Sequence, residues 1–343
     1  MARLNMNLWR ARKSREDLNL KRAPGTRRVA GTLTALCLAG LGGCKMDVLN
    51  PAGRLAVEER DLILFATGLM LLIILPVIFT TLYFAWKYRA SNRNAKYDPS
   101  FEHSGRLEVL IWGAPIAIIV VLGTVTWITA HRLDPYRPLD RSTLGPAAAV
   151  QPLEVDAIAL DWKWLFIYPQ QGVATVNELV LPVNRAVTFK ITASSVMNAF
   201  FVPAMAGQIY AMPGMQTQLH AILNKPGVYK GFSSNYSGAG YSDMNFRVEG
   251  LQVADFGRWV STVQSGAGRL DRVTYAGLAK PSINEPVRTW ARVDRGLYGA
   301  IVEQCAEPGQ TCQAMQMANL DPVDSSKRVA FQRLVGGRIC APR

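Results

Sequence analysis

"LILFATGLMLLIILPVIFTTLYFAW", residues 62–86, runs for 25 residues without a charge. At 1.5 Å per residue, a helix needs roughly 20 apolar residues to cross a bilayer, so this stretch reads as a membrane span. A second uncharged run, "VLIWGAPIAIIVVLGTVTWITA", covers residues 109–130. Pro76 and Pro115 are tolerable inside such helices, because neighbouring groups re-satisfy the freed carbonyls. Trp86, Trp112 and Trp127 lie near the ends, where indole rings favour the headgroup zone. The 49% of hydrophobic residues in the chain is thus concentrated in early runs.

The loop between the spans, residues 87–108, carries Lys87, Arg89, Arg93, Lys96 and Arg106 against Asp98, Glu102 and Glu108. That positive excess assigns it to the cytoplasm and sends both flanks to the other side. The N-terminus independently implies the same topology. A basic head ending in Arg27-Arg28 leads into "VAGTLTALCLAGLGG" and then Cys44, the layout of a secretory signal over residues 1–43. Leu41-Gly42-Gly43-Cys44 resembles the bacterial lipoprotein box, which implies diacylglycerol and palmitate-type acylation at Cys44 after cleavage. The competing reading is a structural cysteine without lipid. Residues 44–61 are then an exported segment ahead of the first span.

The net charge of +13 invites a nucleic-acid reading, but its distribution argues against one. Residues 1–43 hold nine Lys/Arg against two acids, while the other 300 hold 29 against 23. No dense basic run interleaves with aromatics, as a phosphate-tracking groove requires. With 343 residues, the chain accommodates one to three domains.

Beyond residue 131, the runs "LEVDAIAL", "WKWLFIY", "NELVLP", "AVTFKIT", "TQLHAIL", "GVYKGFS" and "MNFRVEG" are short, β-branched or aromatic, and punctuated by Gly, Pro and Asn. They predict an all-β domain of Greek-key type over residues 131–251. Residues 252–310 change to helical spacing in "DFGRWVSTVQ" and "RGLYGAIVEQC", and 311–343 reads as a loose tail. Cys305, Cys312 and Cys340 fall in this exported part. An oxidising compartment favours a disulfide, with Cys305–Cys312 the nearest pair, although "CAEPGQTCQAMQM" also offers soft sulfur donors that suit Cu(I).

Several motifs in order carry a family resemblance. "EHSGRLEVLIWGAPI" (102–116), "LDWKWLFIYP" (160–169), "SVMNAFFVP…QIYAMPGM" (195–215) and "SSNYSGAGYSDM" (233–244) resemble subunit II of haem–copper terminal oxidases. The wording "DWKW…IYP", "QIYAMPGMQT" and "NYSGAGYS" is similar to the cytochrome bo-type ubiquinol oxidase branch. "FGRWV…TYAGLAKP…YGAIVEQC" resembles the aromatic-rich extension found there. The resemblance covers roughly residues 55–310 and implies a membrane-anchored α+β fold. A two-helix transmembrane hairpin would lead into an all-β cupredoxin-like domain, followed by a short, mainly helical C-terminal extension.

The resemblance also locates a lost site. Where the cytochrome c oxidase branch holds two coppers, its first His falls on Asn198 and its bridging Cys pair on Ser233 and Ser237. Its Glu falls on Asn235 and its second His on Tyr241, and only the Met survives, as Met244. Serine hydroxyls stay protonated at neutral pH and cannot bridge copper as thiolates do. None of the three histidines compensates: His103 lies in the loop, His131 at the membrane face, and His220 in a predicted strand. No copper is therefore expected in this domain and no redox centre on this chain; haems and one copper are implied for subunit I.

The implied activity is that of a proton-pumping ubiquinol oxidase of an aerobic respiratory chain, with this chain a structural and assembly subunit. Glu108, at the cytoplasmic edge of the second span, matches the family's proton-uptake entrance. Trp162 and Trp164 match an aromatic pair that, without copper, defaults to packing. Implied partners are subunit I, other oxidase subunits, membrane lipid, and ubiquinol through the complex, in a bacterial inner membrane with the C-terminal domain periplasmic. Residues 131–343 carry 21 basic and 16 acidic residues, which speaks against docking of basic cytochrome c. The alternatives are a cytochrome c oxidase subunit II, disfavoured by the missing Cys and His, or a stand-alone lipoprotein scaffold.

Overall fold

The computed structural model describes residues 48–96, 100–101, 103–139, 150–307 and 309–320. The signal segment, Cys44 and Cys340 fall outside the described residues. Helix α1 runs Arg54–Lys87 and α2 runs Gly105–Arg132, both long and apolar enough to cross a membrane. Their apolar side chains are exposed along most of their length, as lipid-facing or subunit-facing surfaces must be. α1 begins two turns before the uncharged run, in a segment carrying Arg54, Glu58, Glu59, Arg60 and Asp61.

That early start is fixed by the β-domain. The Ala52 and Gly53 amides both donate to the Ala204 carbonyl at 2.8 Å, and the Asn224 amide donates to the Ala52 carbonyl at 2.9 Å. Lys225 Nζ reaches the Pro51 carbonyl at 3.1 Å. A Cβ on Gly53 would lie 2.4 Å from the Met205 carbonyl oxygen, so only glycine lets the chain pass this close. On the other side, the His220 amide donates to the Pro135 carbonyl just beyond α2, at 3.2 Å. Both outer ends of the helical hairpin are thus tied to the same edge of the β-domain.

The domain is two facing sheets. Strands β1 (Leu153–Leu160), β2 (Lys163–Tyr168), β3 (Val173–Val176), β4 (Glu178–Pro182) and β5 (Ala186–Ala193) come first. Then follow β6 (Asn198–Val202), β7 (Ala206–Ala211), β8 (Thr217–Ile222), β9 (Gly227–Ser233) and β10 (Asn245–Leu251). One sheet orders as β3-β2-β1-β5-β8 and the other as β4-β10-β9-β6-β7, with β1–β5 and β4–β10 parallel and the remaining pairs antiparallel. Between them lies an aromatic core. Phe200 meets Trp164 edge-on at 5.4 Å, stacks on Phe246 at 5.5 Å and touches Phe189 at 5.2 Å. Each such ring, fully buried, contributes about 1.5–3 kcal/mol.

Most of the extension covers the outer face of the larger sheet, while its first helix packs Phe256 and Val263 into the inter-sheet core. It comprises α3 (Val253–Gln264), β11 (Arg269–Leu270), α4 (Arg272–Ala279), β12 (Arg288–Trp290), β13 (Arg292–Val293), α5 (Leu297–Val302) and α6 (Gln313–Leu320). It is less helical than its sequence suggests, because β12 adds a sixth strand beside β3. The region read as a loose tail also contains α6. Ile158, Leu160, Leu165 and Ile167 form a second core with Tyr275, Leu278, Leu297 and Ile301. Buried Lys163 clamps the seam, donating to the Lys280 carbonyl at 2.8 Å and to Ser282 Oγ at 2.5 Å. A disulfide joins Cys305 to Cys312, with Cα atoms 4.7 Å apart.

One buried carboxyl at this seam sets a pH dependence. Asp156 is 5% exposed, and its Oδ1 lacks a hydrogen-bond partner, as does the buried Tyr298 hydroxyl of α5. Burial pushes Asp156 up to about 7; Lys190 offsets part of the rise and Glu154 adds to it. The native state therefore holds this proton more tightly than the unfolded chain, and stability falls as pH rises from about 4 to about 7. Asp156→Asn, neutral throughout, should flatten that fall. Its gain over the parent at pH 8 should be on the order of 3 kcal/mol, read from chemical unfolding at several pH values.

Candidate functional site: a self-satisfied polar loop

The fold gathers Asn198, Ser233, Asn235, Ser237, Tyr241 and Met244 at one end of the smaller sheet. Asn198 opens β6 and Ser233 closes β9. A 3₁₀ turn over Tyr241–Asp243 then delivers Met244 to the start of β10. The stretch 195–215, matched by motif to a ligand loop, is mostly the β6–β7 pair, so Asn198 is held by strand pairing with Ala211.

These groups satisfy one another. Ser233 Oγ donates to Asn198 Oδ1 at 3.0 Å, lies 3.3 Å from the Asn235 carbonyl, and accepts from the Ala199 amide at 3.3 Å. Asn198 Nδ2 donates to the Val196 carbonyl, and Asn235 Nδ2 to the Met197 carbonyl, each at 3.1 Å. Ser237 Oγ points to Met244 Sδ at 3.9 Å. Asn198, Ser233 and Met244 are buried, where polar atoms must find partners and do.

This donor set does not fit a copper pair. Hydroxyl and amide oxygens are hard donors, already engaged, and only the Met244 thioether is soft. Among the described residues, no group of three or more His, Cys, Asp or Glu side chains is placed to hold a metal ion.

Trp162 caps the loop, a role its sequence pattern left open between packing sites. Its indole Nε1 donates to the Ser237 carbonyl at 3.1 Å, and its backbone takes the left-handed conformation with φ of 65°. The ring lies flat against Gly238 and Gly240: a Cβ on Gly240 would sit 2.5 Å from it, and Gly238 has φ of 111°. The "GAG" turn is therefore shaped by the indole. Trp164, two residues on, points into the core instead. The pair therefore divides between core and loop.

The loop's direction follows from two anchors. Gly53 bridges Leu223 at the top of α1, and one and a half turns lower Glu59 accepts from the Gly207 amide on β7. Pro135, past α2, meets His220 of β8. Proceeding from Leu223 toward Thr217, or from Ala206 toward Ala211, leads toward the helices and ends at Asn198. The loop faces the side from which the helical hairpin leaves. At the hairpin's other end, Glu108 sits in the first turn of α2 with its Oε1 2.5 Å from His103 Nδ1, both side chains exposed.

Gly240→Ala should force the indole off the loop and cost about 1–3 kcal/mol, the usual range for overpacking. Gly257→Ala on α3, where nothing lies within 4 Å of the added methyl, should leave the protein equally or slightly more stable. Thermal unfolding and near-UV circular dichroism of the two variants distinguish these outcomes.

Comparisons with known proteins agree with this geometry. The family model for the cytochrome c oxidase subunit II periplasmic domain matches residues 150–251, and the COX aromatic rich motif matches 264–309. The chain is 47% identical over 287 residues to cytochrome bo(3) ubiquinol oxidase subunit 2 of Pseudomonas putida, covering 84% of this chain and 88% of that one. It is 48% identical over 275 residues to ubiquinol oxidase subunit 2 of Acetobacter aceti, covering 80% and 87%. To quinol oxidase subunit 2 of Bacillus cereus it is 34% identical over 258 residues, covering 75% and 87%. With two apolar helices, a cupredoxin-like double sheet and the aromatic-rich extension in this order, the chain belongs to the ubiquinol oxidase subunit 2 family.

Proposed function

We propose that this chain is the copper-less subunit II of a proton-pumping ubiquinol oxidase. It sits in a bacterial inner membrane with the β-domain periplasmic and Cys44 lipid-anchored. The hydrogen-bonded network at Ser233 and Asn198 carries the reading: it holds the loop's shape with ordinary side chains and leaves no relay for electrons. Reductant must then reach the complex through the bilayer. Each quinol releases two electrons and two protons, and two quinols supply the four electrons that reduce oxygen to two waters. The haems and single copper that handle those electrons belong to subunit I.

The chain's own contribution is placement. Around the loop, Val196, Met197, Tyr210, Met215 and Tyr236 are exposed, with Tyr236 75% exposed. An apolar rim of this kind on the membrane-facing end suits packing against the core subunit. Glu108, near the opposite membrane surface, collects protons from water and passes them toward subunit I, with His103 beside it.

The purified complex should oxidise ubiquinol and fail to oxidise reduced cytochrome c, and its copper content should be one per complex. Purple two-copper absorbance from the parent chain would sink the reading. A quintuple variant, Asn198→His, Ser233→Cys, Asn235→Glu, Ser237→Cys and Tyr241→His, should acquire that absorbance. Glu108→Gln should lower quinol-driven turnover without changing haem content; an unchanged rate would remove Glu108 from the proton path.

A further inference from the structure

Four separate segments at the helix-facing end of the β-domain are free of charge. Residues 194–199, 211–217, 233–242 and 313–320 contain no Asp, Glu, Lys or Arg, in a chain where 18% of residues are charged. The first three connect β5 to β6, β7 to β8 and β9 to β10. The fourth is α6, from the far side of the extension. Depletion of charge marks the core of protein–protein interfaces. Methionine points the same way. Outside α1 and α2, the exposed methionines among the described residues are Met197, Met215 and Met315, one on each of three of these segments. Methionine is over-used where a surface must adapt its shape to a partner.

α6 is held in place although it could not stand alone. Its eight residues fall well below the roughly 12–15 that a free helix needs in water. The Cys305–Cys312 disulfide ends one residue before it. The Gln313 amide donates to the Glu303 carbonyl at 2.9 Å, and the Ala314 amide to Glu303 Oε2 at 3.1 Å. Gln313 also packs on Gly214 in the β7–β8 turn, so closely that a methyl there would collide with it. A short C-terminal helix is thus fixed beside Met215, with Met315 62% exposed.

This end of the domain reaches the level of the bilayer. α1 follows β7 from Gly53 to Glu59, which accepts from the Gly207 amide. Ala211, four strand residues on, lies about 13 Å further, the rise of roughly nine helix residues. By then α1 has passed Leu62, where its uncharged run begins. Lipid and a membrane subunit are both met at that height. α6 lacks the basic face and the Trp or Tyr anchors of a helix that lies on lipid, which favours protein.

We propose that α6, held by the Cys305–Cys312 disulfide, is part of the surface that docks this chain on the core membrane subunit of the oxidase. It extends the rim at Met197 and Met215 already assigned to that partner, and its role rests on that assignment. The partner surface it fits is apolar and uncharged.

The test uses the assembled oxidase. p-Benzoylphenylalanine, a photo-crosslinking amino acid, replaces Met315, Met197 or Val228 one at a time, and mass spectrometry identifies what each position links to. Position 315 should link to the core subunit. Position 228, exposed at the end of β9 remote from the membrane, should not. A link from 197 with none from 315, or a link from 315 to lipid alone, overturns the role of α6 and leaves the rim standing. No link to the core subunit from either position removes both. The double variant Cys305→Ser/Cys312→Ser should lower the yield at 315 roughly tenfold or more, the scale on which one disulfide holds a short segment, while the yield at 197 stays unchanged. A yield at 315 that survives loss of both cysteines overturns the proposal, because α6 would then reach the partner without its staple.

Discussion

Burial of the larger sheet on both of its faces is the constraint on which the rest of the fold depends. β1 and β2 direct alternate side chains into the inter-sheet core and into the seam beneath the extension, so almost every residue of both is buried. A sheet covered on one side would have exposed Ile158, Leu160, Leu165 and Ile167 to water. Removing the extension would uncover that row and strand Lys163, a residue 1% exposed whose ammonium hydrogen-bonds to two groups of the extension. The C-terminal segment is therefore part of the domain's core rather than an appendage.

The same rigidity explains how the loop at Asn198 keeps its shape with ordinary polar side chains. The loop is suspended between β9 and β10, which pair tightly, and Trp162 presses on it from the β1–β2 turn. Its end points are thus set by the sheets. The polar groups inside need only close their own hydrogen bonds, and Ser233 does this with three neighbours at once. The loop's cohesion thus comes from side-chain and backbone hydrogen bonds alone.

The two spans and most of the strands were legible in the sequence because each leaves a local mark, whereas the positions at the Asn198 loop were singled out only by the family resemblance. Uncharged length marks the spans, and β-branched runs between turn residues mark the strands. The sequence was silent where the information is three-dimensional. β6 and β7 were masked by their match to a ligand loop, and β12, three residues long, has no pattern of its own. The docking of residues 51–56 on the domain rests on backbone bonds to Ala204 and Asn224, which no periodicity announces. Likewise "LEVDAIAL" reads as a strand, yet its near-continuous apolar character signals two-sided cover only when the extension is seen above it. Glu154 and Asp156 are the two discordant residues of that run, and Asp156 is buried with its carboxyl pushed up by that burial.

The attachment of both helix ends to one sheet edge has a consequence for how such a subunit works. A hairpin joined by a flexible linker would let the β-domain sample many poses over the membrane. Here the Gly53–Leu223 bridge, the Glu59–Gly207 contact and the Pro135–His220 bond fix the domain against the helices at three separate points. Three non-collinear points define an orientation. The loop at Asn198 is thereby held toward the helices, whatever else assembles around the chain. The placement of the loop is built into helix starts and sheet edges rather than into the polar groups it contains.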